Sequence, residues 1–145
     1  MPRQLHLVAS EWPELAKAAG APRSSAEEEF ALQLAPFRGF MVCRQYLFAE
    51  SIGRRWRFDF ALREYLLAVE IEGVCVRRLA GELAVTGRHG TISGIRGDLE
   101  KYNTAALLGW TVLRFLQTDV RPRRAIEMTL RVLSARGWKQ PGERT

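Results

Sequence analysis

The chain has 145 residues, of which 47% are apolar, so it is long enough for one domain with a buried core. No apolar run approaches the ~18 residues of a membrane span, and the N-terminus has no apolar segment typical of a secretory signal. Cys43 and Cys75 lie in apolar sequence, which favours reduced thiols, and we therefore expect a cytoplasmic protein without a membrane partner.

The net charge is +6, and only three of the 22 basic residues are lysines. Because the guanidinium group of arginine matches the geometry of phosphate, this excess favours a polyanionic partner such as nucleic acid. The alternative is a bias towards arginine codons, which raises the charge without any function.

Residues 1–23 are predicted to be an N-terminal extension with a short helix, and residues 24–137 the domain. A helix is predicted from Ser25, because Ser25 and Glu28 have the spacing of a capping box, and it should end before Pro36 or Gly39. The acidic residues of its first turn suit the positive end of a helix. A second interpretation places one of them, Glu27, at the edge of a functional site.

Three strands follow, at 45–49, 54–62 and 66–72. In the second strand, apolar and polar residues alternate, which predicts that Phe58 and Phe60 share one face and that Asp59 points to the other. In the third strand, Glu70 and Glu72 share a face opposite the one that carries the apolar residues. The short connection predicts an antiparallel hairpin between these two strands.

The segment 73–93 has many glycines and polar residues, and its length predicts a functional or mobile loop. A helix is predicted over 94–108, with four residues at helical spacing: Ile95, Leu99, Tyr102 and Ala106. A strand over 110–115, a last helix capped by Thr118 or Asp119, and a frayed tail over 138–145 complete the chain. The predicted order is therefore α, β-β-β, α, β, α.

The hairpin brings acidic residues together. If Glu64 and Tyr65 are the central residues of the turn, Asp59 lies directly opposite Glu70, about 5 Å away, and Glu72 lies two residues further on the same face. Two ionised carboxylates at this distance repel each other, and a divalent ion such as Mg²⁺ or Mn²⁺ would relieve the repulsion. A solvated face on which acids and arginines pair is the alternative.

Several blocks of the sequence, in order, resemble the PD-(D/E)XK nuclease superfamily: RRWRFDFAL, LLAVEIEG, GRHG, GDLEKYN and LLGWTVLRF. The chain is most similar to the branch of small phage and bacterial proteins related to very-short-patch-repair endonucleases. The resemblance covers about residues 25–115 and implies an αβββαβ restriction-endonuclease-like core with a mixed central sheet, here followed by a C-terminal helix. It also implies a nuclease-like domain over 24–137 that hydrolyses DNA with a carboxylate-bound Mg²⁺.

The resemblance assigns roles to single residues. Asp59 and Glu70 match the two metal ligands of the motif, whereas Glu72 stands where the motif has lysine. Lys101, on the following helix, would supply a migrated lysine. His89, in the GRHG block, would transfer a proton or hold a phosphate; an exposed histidine without function is the alternative.

Further residues are predicted to border the site or to bind the nucleic-acid backbone. Glu27 and Gln45 match accessory positions of the family. The backbone-binding candidates are Arg54, Arg55, Arg57, Arg88 and Arg96. A homodimer would supply the two sites needed to cut both strands.

Two other functions stay open at this point. The absence of the motif's lysine allows a DNA-binding module on a nuclease-like fold without catalysis. A small α/β scaffold protein whose charge is only compositional is the third reading, and it predicts no salt-dependent binding of DNA.

Overall fold

The computed structural model describes residues 24–73, 75–79, 82–86 and 92–142. These residues form three α-helices: α1 (Ser25–Leu34), α2 (Ile92–Leu107) and α3 (Arg124–Ala135). They also form six strands: β1 (Cys43–Leu47), β2 (Arg57–Leu62), β3 (Leu67–Glu72), β4 (Cys75–Leu79), β5 (Glu82–Thr86) and β6 (Thr111–Leu116). Short 3-10 helices occur at Glu50–Ile52, Arg63–Tyr65 and Gln117–Asp119.

The main sheet has four strands in the order β1-β2-β3-β6. Neighbouring strands are antiparallel from β1 to β3, whereas β6 runs parallel to β3. Parallel neighbours in a sheet need a long crossover connection. Here the connection from β3 to β6 contains the β4–β5 hairpin and helix α2. The described chain is therefore a mixed α/β fold, and the predicted order of its main elements is confirmed.

Two apolar clusters cover the two faces of this sheet. Phe60, Leu62, Leu67 and Val69 pack with α1 and α3. On the other face, small side chains leave room for α2: Ala61 and Ala68, which pair with each other, pack with Ala105 of α2 and with Trp110. The helices α1 and α3 thus lie on one side of the sheet and α2 lies on the other.

The prediction that Phe58 and Phe60 share a face is wrong. Phe60 packs with α1 and α3, whereas Phe58 stacks on Phe48 and contacts Trp110 in the other cluster. The change of face occurs between them, opposite Gln45, whose φ of 50° lies in the left-handed region. A residue with positive φ interrupts the alternation of a strand. The irregularity places Asp59 at the point where the strand changes face.

The segment 73–93 is not one irregular loop. It contains the antiparallel hairpin of β4 and β5, in which Cys75 pairs with Thr86 and Leu79 with Glu82. The sequence Cys75–Leu79 alternates poorly, and this explains why the strands were not predicted.

All three helices differ in detail from the prediction. The helix α3 begins at Arg124 with Arg123 at its N-cap, and not at a cap formed by Thr118 or Asp119, which belong to a separate 3-10 helix. The capping box of α1 consists of Ser24 and Glu27, one residue earlier than predicted. In α2, the predicted apolar positions Ile95 and Leu99 are exposed, because the helix turns Lys101, Tyr102 and Ala105 towards the sheet.

The chain directly after α3 is not frayed, contrary to the prediction. Trp138, which was assigned to the tail, is buried, and its indole N–H donates to the carbonyl of Arg38 at 2.7 Å. Cys43 is a free thiol. Within the described ranges, no helix has the length and apolar character needed to cross a membrane.

Candidate active site

The register of the β2–β3 hairpin agrees with the prediction. Phe60 pairs with Val69, Ala61 with Ala68 and Leu62 with Leu67, so the next pair in this register is Asp59 and Glu70. The turn itself has four residues instead of two, with a 3-10 helix over Arg63–Tyr65. We call the end of the hairpin that carries this turn the turn end. The opposite end, with Asp59, Glu70 and Glu72, is the acidic end.

Asp59 is held by two donors. Its Oδ2 accepts the backbone N–H of Ile71 at 2.8 Å, and its Oδ1 accepts the side-chain amide of Gln45 at 3.2 Å. The carboxylate therefore takes a backbone donor that a regular ladder would give to a carbonyl of β2. Burial raises the pKa of Asp59 above its usual range, although both hydrogen bonds and the charge of Lys101 act in the opposite direction.

Glu70 is buried in the middle of the acidic end, with 7% of its surface exposed. Its Oε1 is paired with the ammonium group of Lys101, which projects from α2 over the ring of Phe58. Burial raises the pKa of Glu70 to about 7; Lys101 lowers it, whereas Asp59 and Glu72 raise it further. The site thus contains a carboxyl group that titrates near neutral pH, as is common at functional sites.

Glu72 has different partners from Glu70. Its Oε1 accepts from Nε of Arg114 at 2.7 Å and from the hydroxyl of Tyr102 at 3.4 Å. The guanidinium group of Arg114 also lies over the ring of Tyr102, 4.1 Å from its centre. Burial, with the charges of Glu70 and Glu72, raises the pKa of Tyr102, so this hydroxyl stays a donor at neutral pH.

Glu27 lies on the α1 side of the site. Its Oε1 accepts from the backbone N–H and the hydroxyl of Ser24, while Oε2 is buried without a hydrogen-bond partner. The nearest cation is Arg44, whose Nη2 lies 3.7 Å from this Oε2 and whose guanidinium group covers the ring of Phe60. Burial and the charge of Asp59 raise the pKa of Glu27. Glu27 therefore faces the acidic end while it also caps its helix.

The arginines that were predicted to bind the nucleic-acid backbone are less concentrated than the acidic residues. Arg54 lies over Trp56 and pairs with Glu100 of α2 at 3.4 Å, with both side chains exposed. Arg55 and Arg96 are exposed, and Arg57 is partly buried at the start of β2. Arg88 and His89 lie outside the described residues.

The oxygen donors of the acidic end suit a divalent metal ion. In the described part of the chain, no group of three or more histidine, cysteine, aspartate or glutamate side chains is arranged as a metal site. Mg²⁺, however, is usually held by one or two carboxylates with water completing its shell, so Asp59 and Glu70 would be sufficient. Burial is the main cause of the raised pKa of Glu70, and repulsion from Asp59 adds to it; such an ion would relieve this repulsion.

Three residues of this region were not predicted: Arg44, Tyr102 and Arg114. Arg114 had a signal in the sequence, because it is the charged residue within the apolar block WTVLRF. Tyr102 follows Lys101 directly, and it was assigned to an apolar face. Arg44 had no signal of its own, since arginines occur throughout the sequence and nothing local indicates that this side chain is buried.

Comparison of the chain with models of known protein families, with curated proteins and with solved structures finds no match.

Proposed function

We propose that the chain is a metal-dependent DNA endonuclease with a restriction-endonuclease-like core. One observation carries the proposal: Asp59, Glu70 and Glu72 of the β2–β3 hairpin and Lys101 of α2 meet at one end of the sheet. A buried glutamate beside two partly buried acids and a partly buried lysine does little for the stability of a fold, since the desolvation of charges is costly. Their convergence suits the binding and hydrolysis of a phosphodiester.

In this proposal Asp59 and Glu70 hold Mg²⁺ or Mn²⁺. A bound ion of this kind stabilises negative charge on a phosphate that is being hydrolysed. Gln45 and the N–H of Ile71 fix the orientation of the Asp59 carboxylate. Arg114 and Tyr102 fix Glu72, and Lys101 provides the positive charge that the motif's lysine would supply. The exposed arginines near the start of β2 would contact the backbone of DNA.

The experiment is a cleavage panel of branched, mismatched, single-stranded and duplex DNA, with Mg²⁺ and with Mn²⁺. We expect the wild type to cleave at least one substrate and Asp59→Ala to reduce cleavage to background. Glu64→Ala is the matched control, because Glu64 is an exposed acid at the turn end of the same hairpin. Equal cleavage by Asp59→Ala and the wild type would refute the assignment.

A second candidate is a DNA-binding module that has this fold but no catalysis. The observation that favours it is the state of the ligand atoms, because Lys101 is paired with Glu70 and two donors occupy Asp59. Calorimetric titration with Mg²⁺ and Mn²⁺ separates the two functions. Metal binding that is lost in Glu70→Ala supports the enzyme, whereas DNA binding without metal uptake supports the module.

A further inference from the structure

The positive charge of the chain is concentrated around α3. Residues 120–142 contain six basic side chains and one acidic one, in a chain with a net charge of +6. Residues 24–73, which carry most of the acidic end, contain eight acidic side chains and six basic ones. The excess that first suggested a polyanionic partner is therefore not spread over the domain, and it lies mostly outside the candidate site.

Four arginines of this region are exposed, and together we call them the arginine face: Arg121, Arg123, Arg124 and Arg131. The side chains of Arg121 and Arg124 are 88% and 71% exposed. The opposite side of α3 packs on the sheet through Ala125, Ile126 and Leu133. Packing of the helix therefore requires none of the four arginines.

Their positions also oppose the local stability of the helix. Arg123 and Arg124 stand at the N-terminal end of α3, where the helix dipole disfavours cations, although Arg124 pairs with Asp119 at 3.2 Å. Arg123 occupies the N-cap with a φ of 67° and forms no capping hydrogen bond with its side chain. The preferred N-cap residues bond to the helix from extended backbone, and Arg123 has neither such a side chain nor such a backbone. Conflicts of this kind between sequence and local structure are typical of functional surfaces.

The arginine face begins close to the acidic end. Leu116 of β6 pairs with Glu72 of β3, and the chain then passes through Gln117–Asp119 towards α3. Arg121 lies 3.8 Å from Glu29, which follows Glu27 by two residues on α1. At its other end α3 reaches the turn end, where Arg136 donates to the carbonyl of Leu66. The face thus leads away from the candidate site along the outer side of the α1 and α3 layer.

We propose that the arginine face of α3 contacts the phosphodiester backbone of the DNA that flanks the candidate site. Arg124 and Arg131 are two helical turns apart, about 10.5 Å. This distance corresponds to about three nucleotide steps of B-DNA, at 3.4 Å each. Arginine matches phosphate in a bidentate geometry, so the face reads backbone and not sequence. The inference rests on the proposed function only in taking DNA as the partner.

The test is a binding titration of the full chain with a DNA duplex in EDTA, over a range of salt concentrations. The test variant is Arg121→Gln/Arg123→Gln. The matched control is Arg63→Gln/Lys139→Gln, which removes the same charge from exposed positions away from the arginine face. Because each phosphate contact contributes about 0.9 to the slope of log K against log salt, the test variant should lose about 2 units of slope. At about 0.15 M salt it should bind roughly 10- to 30-fold more weakly.

Retention of both slope and affinity by the test variant would overturn the inference. An equal loss in the control variant would do so too, because net charge alone would then explain binding. Binding of anionic phosphatidylserine vesicles in place of DNA would also overturn it. Cleavage with Mg²⁺ is a separate readout: a wild type that binds through the arginine face but does not cleave refutes the nuclease and leaves this inference standing.

Discussion

The two ends of the β2–β3 hairpin have opposite character, although the same two strands form both. At the turn end, Ala61, Leu62, Leu67 and Ala68 are completely buried and paired in a regular ladder. At the acidic end, the last ladder pair is Phe60 and Val69, and beyond it the N–H of Ile71 binds the Asp59 carboxylate. The turn end lowers the free energy of the fold by apolar burial, and the acidic end gives up part of that gain.

The difference shows how one hairpin combines apolar burial with a cluster of charged side chains. Burial of a carboxylate is unfavourable unless donors or cations compensate for the lost water. The acidic end supplies such groups from other elements: Gln45 of β1, Lys101 and Tyr102 of α2, and Arg114 of β6. The site is therefore completed by side chains from elements that surround the hairpin.

The largest effect on stability is expected at the turn end. Leu67→Ala should reduce the free energy of unfolding by about 2–5 kcal/mol, because it removes a completely buried side chain and leaves a cavity. Urea denaturation measures the change. Leu66→Ala is the neighbouring control, since 44% of Leu66 is exposed and its loss should cost much less.

The comparison also requires that Leu67→Ala leave the acidic end intact. If the acidic end holds Mg²⁺ as we propose, folded Leu67→Ala should bind the ion with the affinity of the wild type, as measured by calorimetry. A loss of metal binding at a temperature where the variant is fully folded would show that the two ends are not independent.

The second effect is a dependence of stability on pH that originates at the acidic end. Burial raises the pKa of Glu70 from 4.5 to about 7. Between these values the folded protein binds more protons than the unfolded chain, so its stability falls as the pH rises. The shift corresponds to a loss on the order of 2–3 kcal/mol between pH 4.5 and pH 7 in the absence of metal. Glu70→Gln should reduce this slope, and the part that remains has the sign expected of Asp59 and Glu27, whose pKa values burial also raises.

Thermal denaturation in EDTA across this pH range measures the effect. Glu64→Gln makes the same chemical change at the turn end, where the side chain is exposed, and it should leave the slope as in the wild type. If the wild type and Glu70→Gln have parallel pH profiles, the assignment of this slope to Glu70 is wrong.

The hairpin was predictable because its signals are local. The alternation of Leu67, Val69 and Ile71 fixed the faces of β3, and the short connection fixed its register with β2. The change of face between Phe58 and Phe60 was not predictable, since it depends on the positive φ of Gln45 in another strand. A conformation of this kind is set by the neighbours of a residue and not by its own preference.

The candidate site was predictable only in part for the same reason. Alternation placed Glu70 and Glu72 on one face, but the partners of these acids come from α2 and β6, which no local pattern connects to β3. Lys101 was suggested by resemblance alone. Tyr102 contacts Glu72 because the orientation of α2 about its axis differs from the predicted one. In the observed orientation Ile95 and Leu99 are exposed to solvent.

The smallest effect is expected at Glu72. Its size distinguishes between two roles of this residue in the nuclease that we propose. The Oε1 of Glu72 is engaged by Arg114 and Tyr102, which suits a residue that positions its neighbours and not one that takes a proton from water. Glu72→Gln keeps an oxygen acceptor for Arg114, so cleavage should fall less than about 10-fold. Glu72→Ala removes the acceptor, and a loss of about 10- to 100-fold is typical when a supporting partner of a metal site is removed.

Cleavage rates of both variants at saturating Mg²⁺ measure this difference. A general base at Glu72 predicts a different result, because glutamine cannot accept the proton and both variants would then lose activity equally. Arg114→Gln provides the reciprocal change, since it leaves the Glu72 carboxylate in place but removes its charged donor. If Glu72 positions its neighbours, Arg114→Gln should resemble Glu72→Ala; if Glu72 is a base, Arg114→Gln should retain far more activity than either Glu72 variant.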